Sequence, residues 1–212
     1  MTVLSEERDM VQAVVKGLGF EVERFGDPAR PALLLVPGLA QQLTDWPAPL
    51  IEALAAEHHV VVFDNRDSGL SAKFGPCRSD QPAPETPYTL FDMAEDTAGL
   101  IGVLCLGPVH LLGYSMGGRI AQIVAARHPG LVRSLLCLMS SGGQAGVQAA
   151  PHISEALGAA RPAELLRTPD IGLFTRQAAL FEGDALVTPE AELRARITAA
   201  VARSYCPLGS AR

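Results

Sequence analysis

Residues 109–118 read Val-His-Leu-Leu-Gly-Tyr-Ser-Met-Gly-Gly, an apolar run that ends in the pattern Gly113-Tyr114-Ser115-Met116-Gly117. Val109 to Gly113 has the composition of a buried strand. Apolar residues at Ile120, Ile123 and Val124 predict a helix that begins at or near Ser115 and stops at His128-Pro129-Gly130. A GxSxG pattern in that context places a serine on a sharp strand-to-helix turn. Small residues two before and two after the serine let neighbouring backbone pass, and the helix amino terminus puts partial positive charge near a developing oxyanion. Gly118 extends the close approach. Ser115 is therefore the candidate nucleophile. The plainer alternative is a serine that merely caps a helix beside glycines, and the flanking strand and helix favour the first reading.

Working outward, Ala32 to Val36 and Val60 to Phe63 are continuous apolar runs of the kind that a parallel strand covered on both faces requires. Between them Thr44 and Asp45 can cap a helix carrying Leu50, Ile51 and Leu54. Val11 to Gly26 reads as an antiparallel hairpin whose two strands are separated by Leu18 and Gly19. Residues 65–87 are rich in Gly, Pro, Ser and Asp and predict an irregular surface excursion near the strand ends. Thr89 starts a helix with Met93, Leu100, Ile101 and Leu104 on one face, closed by Gly107 and Pro108, and Leu135 to Met139 predicts a further buried strand. Alternating strands and helices imply βαβ units with right-handed crossovers, hence a mostly parallel sheet of the α/β class. From Ser140 the character changes to a linker and then to helices broken at Pro162, Pro169 and Pro189. The division expected is a core over residues 1–143 and a helical lid over residues 144–212, placed over the carboxyl ends of the strands.

A chain of 212 residues that is 48% hydrophobic and 19% charged can bury one substantial core. The net charge of −6 argues against a nucleic-acid partner, which would need a basic face. The acidic start MTVLSEERDM lacks the pattern of a secretory signal, and no run reaches the ~18 apolar residues of a membrane helix, so the expected location is the cytoplasm with no membrane partner. Cys77, Cys105, Cys137 and Cys206 are scattered without CxxC or Cys/His pairing, which predicts free thiols and no zinc. No cofactor or other metal motif is present in the sequence, and oligomeric state is not legible from it.

Val36-Pro37-Gly38-Leu39 after the first parallel strand, the stretch Asp64-Asn65-Arg66-Asp67-Ser68-Gly69-Leu70-Ser71, and the GYSMGG turn together resemble the α/β-hydrolase superfamily. The likeness runs from about Gly17 to the last residue and points to esterase-like members such as the aclacinomycin methylesterase group. It implies an α/β-hydrolase fold with flanking helices and a helical lid, and a small-molecule ester as substrate. It also implies an oxyanion hole made by the backbone N–H groups of Met116 and Leu39. Pro37 stands where relatives often carry histidine, a position that supplies no needed N–H. The Asp64 to Ser71 stretch matches a DxRxxGxS loop whose charges hold loop geometry, with Arg66 expected to brace against Asp64 or Asp67.

A serine hydroxyl needs a base, and the resemblance places an acid and then a histidine on loops after later strands. His58, His59, His110, His128 and His152 all lie before or shortly after the serine turn, and neither Asp170 nor Asp184 follows a buried strand. His110 and His128 are expected to pack or cap, and His152 to be a solvated helix-start residue. At ~30 residues per βαβ step the missing loops correspond to roughly 60 further residues, so the last strands are expected to be absent and the chain to be carboxyl-terminally truncated. Two functions follow: a serine hydrolase of a carboxylic ester acting through an acyl-enzyme on Ser115, or a catalytically incomplete fragment or binding protein without acid and base. In the first, Leu173, Phe174, Leu180 and Phe181 of the lid would supply apolar substrate contacts.

Overall fold

The computed structural model describes residues 9–78, 87–142, 168–180 and 188–209. Six strands form one sheet in the order β1-β2-β4-β3-β5-β6. β1 (Asp9–Val15) and β2 (Leu18–Phe25) make the expected hairpin, with Val15 opposite Leu18. The turn is Lys16-Gly17 rather than Leu18-Gly19: Lys16 has φ 49° and Gly17 has 83°, the positive values at both central positions that a type I′ hairpin turn takes. β2 runs antiparallel to β4 (His59–Phe63), while β3 (Ala32–Val36), β4, β5 (Val109–Tyr114) and β6 (Val132–Leu138) are parallel neighbours through β3·β4, β3·β5 and β5·β6.

β3 and β4 are buried at every residue, as their unbroken apolar runs require. Successive side chains alternate between the two faces. Leu34, Val36, Val61, Phe63 and Leu111 join one core with Met93, Leu100 and Ile101 of α2 (Leu90–Val103) and Ile120 and Val124 of α3 (Met116–Arg127). Leu33, Leu35, Val60, Val62 and Leu112 join the other, with Leu43 and with Ile51 of α1 (Ala48–Ala55).

Helix starts follow capping chemistry. α2 starts at Thr89 as expected, and Thr89 caps it through a capping box with Asp92. Thr44 and Asp45 do not cap α1: they lie in a 3-10 turn over Leu43–Asp45, and α1 starts after Pro47 with Pro49 in its first turn, where a missing N–H costs nothing.

β6 begins earlier than the sequence pattern suggests and is not a buried strand. Leu136 is 52% exposed, and Leu135, Leu138 and Met139 are exposed as well. Its only sheet neighbour among the described residues is β5, so its apolar composition, which suits a strand covered on both faces, stands uncovered.

After β6 the described elements are helices, α4 (Ile171–Leu180) and α5 (Glu190–Arg203). The chain then buries Cys206, Leu208 and Gly209, with Leu208 N donating to Cys77 O and Gly209 close against Asp67 in the segment after β4. Residues 143–167, which contain most of the expected linker together with His152 and Pro162, and residues 181–187, which contain Phe181 and Asp184, lie outside the described residues. Among the described residues no helix is long and apolar enough to cross a membrane.

Candidate active site

Ser115 occupies the single residue between β5 and α3, with φ 52° and ψ −117°. A non-glycine residue at positive φ costs on the order of 1–3 kcal/mol and persists only where its surroundings enforce it. Here its N–H donates to Leu138 O at 2.9 Å and its carbonyl accepts from Gly118 N at 3.0 Å, so both ends of the residue are pinned. The flanking glycines have no room for a side chain. A Cβ on Gly113 would strike Gly117 O, one on Gly117 would strike Val36 O, and one on Gly118 would strike the Ser140 side chain. Ser115 is at the cap position of α3 yet makes no side-chain capping bond, and its backbone is outside the extended region that capping serines adopt. The plain capping reading therefore fails.

The turn after β3 lies beside this one. Gly38 sits close to Tyr114, where a Cβ would come within 3.2 Å of the Tyr114 carbonyl oxygen. A cavity of about 190 Å³ opens between the two turns, lined by Gly38, Leu39, Met116, Asn65, Leu90 and Met93 among others. It reaches Met116, the residue next to Ser115, but Ser115 is not itself part of the wall. Leu39 and Met116, the residues of the two expected oxyanion donors, thus line one space, and neither backbone N–H donates to another described residue.

The loop from Asp64 to Ser71 has the structural duty expected of it but different partners. Arg66 does not brace against Asp64 or Asp67. It makes a bidentate pair with Asp96 of α2, Nε to Oδ2 at 2.6 Å and Nη2 to Oδ1 at 2.7 Å, with both side chains buried. The guanidinium also lies 4.9 Å from the centroids of both the Phe74 and Tyr88 rings. Burial pushes the Asp96 carboxyl up, and the Arg66 charge opposes that shift. Asp64 is fully buried, accepts the backbone N–H groups of Leu43 at 2.7 Å and Leu70 at 2.8 Å, and pairs with Arg203 of α5 at 2.8 Å. Asp67 accepts Phe74 N at 2.8 Å and the Tyr88 hydroxyl at 2.9 Å. Local spacing pointed to neighbours within the loop; a folded chain offered closer charges from two helices.

The described histidines are engaged away from the cavity. His110 Nδ1 is 2.7 Å from Ser134 Oγ, and its ring meets that of His58 edge-on at 5.7 Å. His128 ends α3 and lies 3.0 Å from Glu95 Oε1, so His110 and His128 do pack and cap. Burial pulls the His59 imidazole below its ordinary value. None of these four lines the cavity, and Asp170 caps α4 by accepting Leu173 N at 2.8 Å. Leu173 and Phe174 are not part of the cavity wall either: Phe174 lies against Tyr205, with ring centroids 6.1 Å apart. Beside Gly38, Leu39 and Met116, the wall takes in Tyr88, Leu90, Met93 and Gly209, which no motif singled out, and Asn65, which lies in the Asp64 to Ser71 stretch but had no site role assigned. Met93 and Leu90 were legible as residues of a helix, but their helix face gave no sign of a cavity. Cys77 and Cys206 are also less scattered than their spacing suggests. Burial and a hydrogen bond with the Cys77 thiol push Cys206 up to about 12, and Leu208 N donates to Cys77 O at 3.2 Å.

The alpha/beta hydrolase fold family matches residues 31–203. RutD of Caulobacter segnis, named provisionally as a carbamate hydrolase, is 32% identical over 120 residues, which cover 57% of this chain and 42% of that protein. The rhodomycin D methylesterase DauP of Streptomyces sp. strain C5 is 30% identical over 118 residues, 55% of this chain and 37% of its own. The matched regions thus amount to about two fifths of these relatives' lengths. Among solved structures, a bacterial membrane phospholipase A superposes with a TM-score of 0.71 at 24% identity, over 96% of this chain and 60% of that one. Sheet order, the serine turn and the family match agree: this chain belongs to the alpha/beta hydrolase fold family.

Proposed function

We propose that this chain carries the nucleophile and the oxyanion-binding groups of a serine hydrolase that cleaves a carboxylic ester. In this reading residues 1–143 form the core and residues 144–212 a helical lid. The Ser115 hydroxyl oxygen attacks the ester carbonyl carbon, and its proton passes to a base. The carbonyl oxygen, now an anion, takes hydrogen bonds from Leu39 N–H and Met116 N–H. The bond to the alcohol oxygen then breaks, the alcohol leaves with a proton, and water releases the acid from the Ser115 ester. Each oxyanion donor is worth on the order of 3 kcal/mol in the transition state.

The observation that carries the reading is the pairing of a strained, non-capping Ser115 with Leu39 and Met116, two residues that line one cavity and whose backbone N–H groups have no partner among the described residues. Leu39, Leu90, Met93 and Met116 make much of that wall apolar, which favours a small lipophilic ester. The relative named as a methylesterase supports an ester substrate, and the one named provisionally as a carbamate hydrolase supports hydrolysis more broadly. The net charge of −6 favours a small molecule over a nucleic acid, and the cytoplasm is the proposed location.

One observation favours a second reading. No described histidine lines the cavity, so a histidine base for the first reading would come from outside the described residues. Without them the chain is a binding protein or an inert fragment, since loss of a triad member can cost ~10⁶ in kcat.

A fluorophosphonate probe with intact-mass detection separates the two. One adduct on the folded protein, lost in Ser115→Ala, is the expected result. No adduct on folded protein would favour the second reading.

A further inference from the structure

The turn after β3 is held by a device that the reaction itself does not require. Pro37 C=O and Gly38 N–H belong to one planar peptide group. Asn65 Nδ2 donates to Pro37 O at 3.1 Å, and Gly38 N donates to Gln41 Oε1 at 2.7 Å, so this peptide is gripped at both ends by side chains. The next peptide joins Gly38 C=O to Leu39 N–H. Its oxygen accepts from Gln41 N at 3.3 Å, and in a trans peptide the N–H points away from the oxygen. Gln41 therefore directs Leu39 N–H to the opposite side from itself. Gln41 is anchored in turn, since its carbonyl accepts the Ser68 hydroxyl at 2.6 Å, and the intervening Ala40 is strained at φ 61°. Asn65 is 4% exposed and lines the cavity.

Gly38 has no Cβ to restrict rotation, so a flip of the Gly38–Leu39 peptide would turn Leu39 N–H away, and a flip of the Pro37–Gly38 peptide would break the Gly38 N–H bond to the Gln41 side chain that seats the turn. We infer that Asn65 and Gln41 are positioning residues that hold the Leu39 N–H as an oxyanion donor. The inference rests on the serine-hydrolase reading and adds the origin of the donor's orientation. A preorganised donor acts only if it is fixed before charge develops.

The test is saturation kinetics of fluorophosphonate labelling on the full chain, which separates probe affinity from the rate of bond formation at Ser115. Asn65→Ala and Gln41→Met are each expected to slow bond formation about tenfold to a hundredfold with probe affinity little changed. Gln41→Glu, which keeps an acceptor for Gly38 N–H, should recover most of the rate. Hydrogen exchange at the Gly38 amide should quicken in Gln41→Met and not in Gln41→Glu. Variants that react at the wild-type rate would overturn the inference while leaving Ser115 as nucleophile. So would a loss of affinity and rate together that follows a fall in Tm, because that is what general destabilisation produces. Absence of labelling on folded wild type would instead overturn the serine-hydrolase reading, and the oxyanion role of the turn with it.

Discussion

Gly117 is where the serine turn and the strand beside it meet most closely, and the obstacle to any larger residue is backbone rather than a movable side chain. Its missing Cβ would sit against the carbonyl oxygens of Val36 and Pro37. Gly117→Ala must therefore push β3 and the serine turn apart. We expect a loss of stability of about 1–3 kcal/mol, the range for overpacking, and slower labelling of Ser115. Gly130→Ala is the control: nothing lies within 4 Å of its Cβ position, so denaturant unfolding should shift by no more than about 0.5 kcal/mol. Equal effects of the two substitutions would mean that the close approach at Gly117 contributes nothing. The GxSxG spacing foretold this crowding, because glycine at those positions is the chemical signature of backbone passing backbone. It did not foretell Asn65 or Gln41, whose side chains work by reaching a turn that the motif leaves undescribed.

At the scale of an element, α2 joins the site to the fold. Its start is fixed by Thr89 and Asp92, and its middle holds Arg66 of the cavity loop through Asp96. The Asp92 carboxylate accepts the Thr89 hydroxyl and the Thr89 N–H, both at 2.7 Å, and these bonds hold it below its ordinary range. A carboxyl whose folded value is depressed binds its proton less readily in the native state than in the unfolded chain. Its stabilisation is therefore present above the unfolded value and disappears as pH falls through the folded one. Asp92→Asn should be less stable than wild type at neutral pH, with the difference in Tm closing in acid. A gap that persists unchanged to low pH would show that charge at Asp92 does not matter. Thr89→Ala should cost about 1 kcal/mol at neutral pH, since it removes the cap itself. This start was legible from Thr89 and the apolar spacing that follows it. The start of α1 was not, because Thr44 and Asp45 have capping chemistry but two prolines downstream decide where the helix begins.

For the whole molecule, exposed apolar residues lie on both outer strands of the sheet among the described residues. Met10 and Val14 of β1, and Leu135, Leu136 and Leu138 of β6, are exposed, and β6 pairs only with β5 among the described residues. An apolar strand with an open edge is a template for pairing with another chain. Sedimentation velocity over a series of micromolar concentrations should reveal self-association, reduced in Leu136→Lys. A monomer at every concentration would mean that the strip is covered. At the other end of the described chain, α5 is tied to the core by a buried node. Arg203 Nη1 donates to Gln42 Oε1 at 2.8 Å and pairs with Asp64, while Gln42 Nε2 donates to Ala200 O at 2.7 Å and Ser204 O at 3.0 Å. The amino-acid sequence by itself determined where most strands run, the mostly parallel sheet they imply, the serine turn and the family. Those features depend on apolar period and on turn and cap chemistry, which act within a few residues. Tertiary structure alone decided that Arg66 pairs with Asp96, 30 residues along the chain, that Arg203 reaches Asp64, that Asn65 and Gly209 help line one cavity, and that β6 stands exposed. Ion-pair partners, cavity walls and burial are set by which distant segments meet, and no local pattern in the chain encodes that meeting.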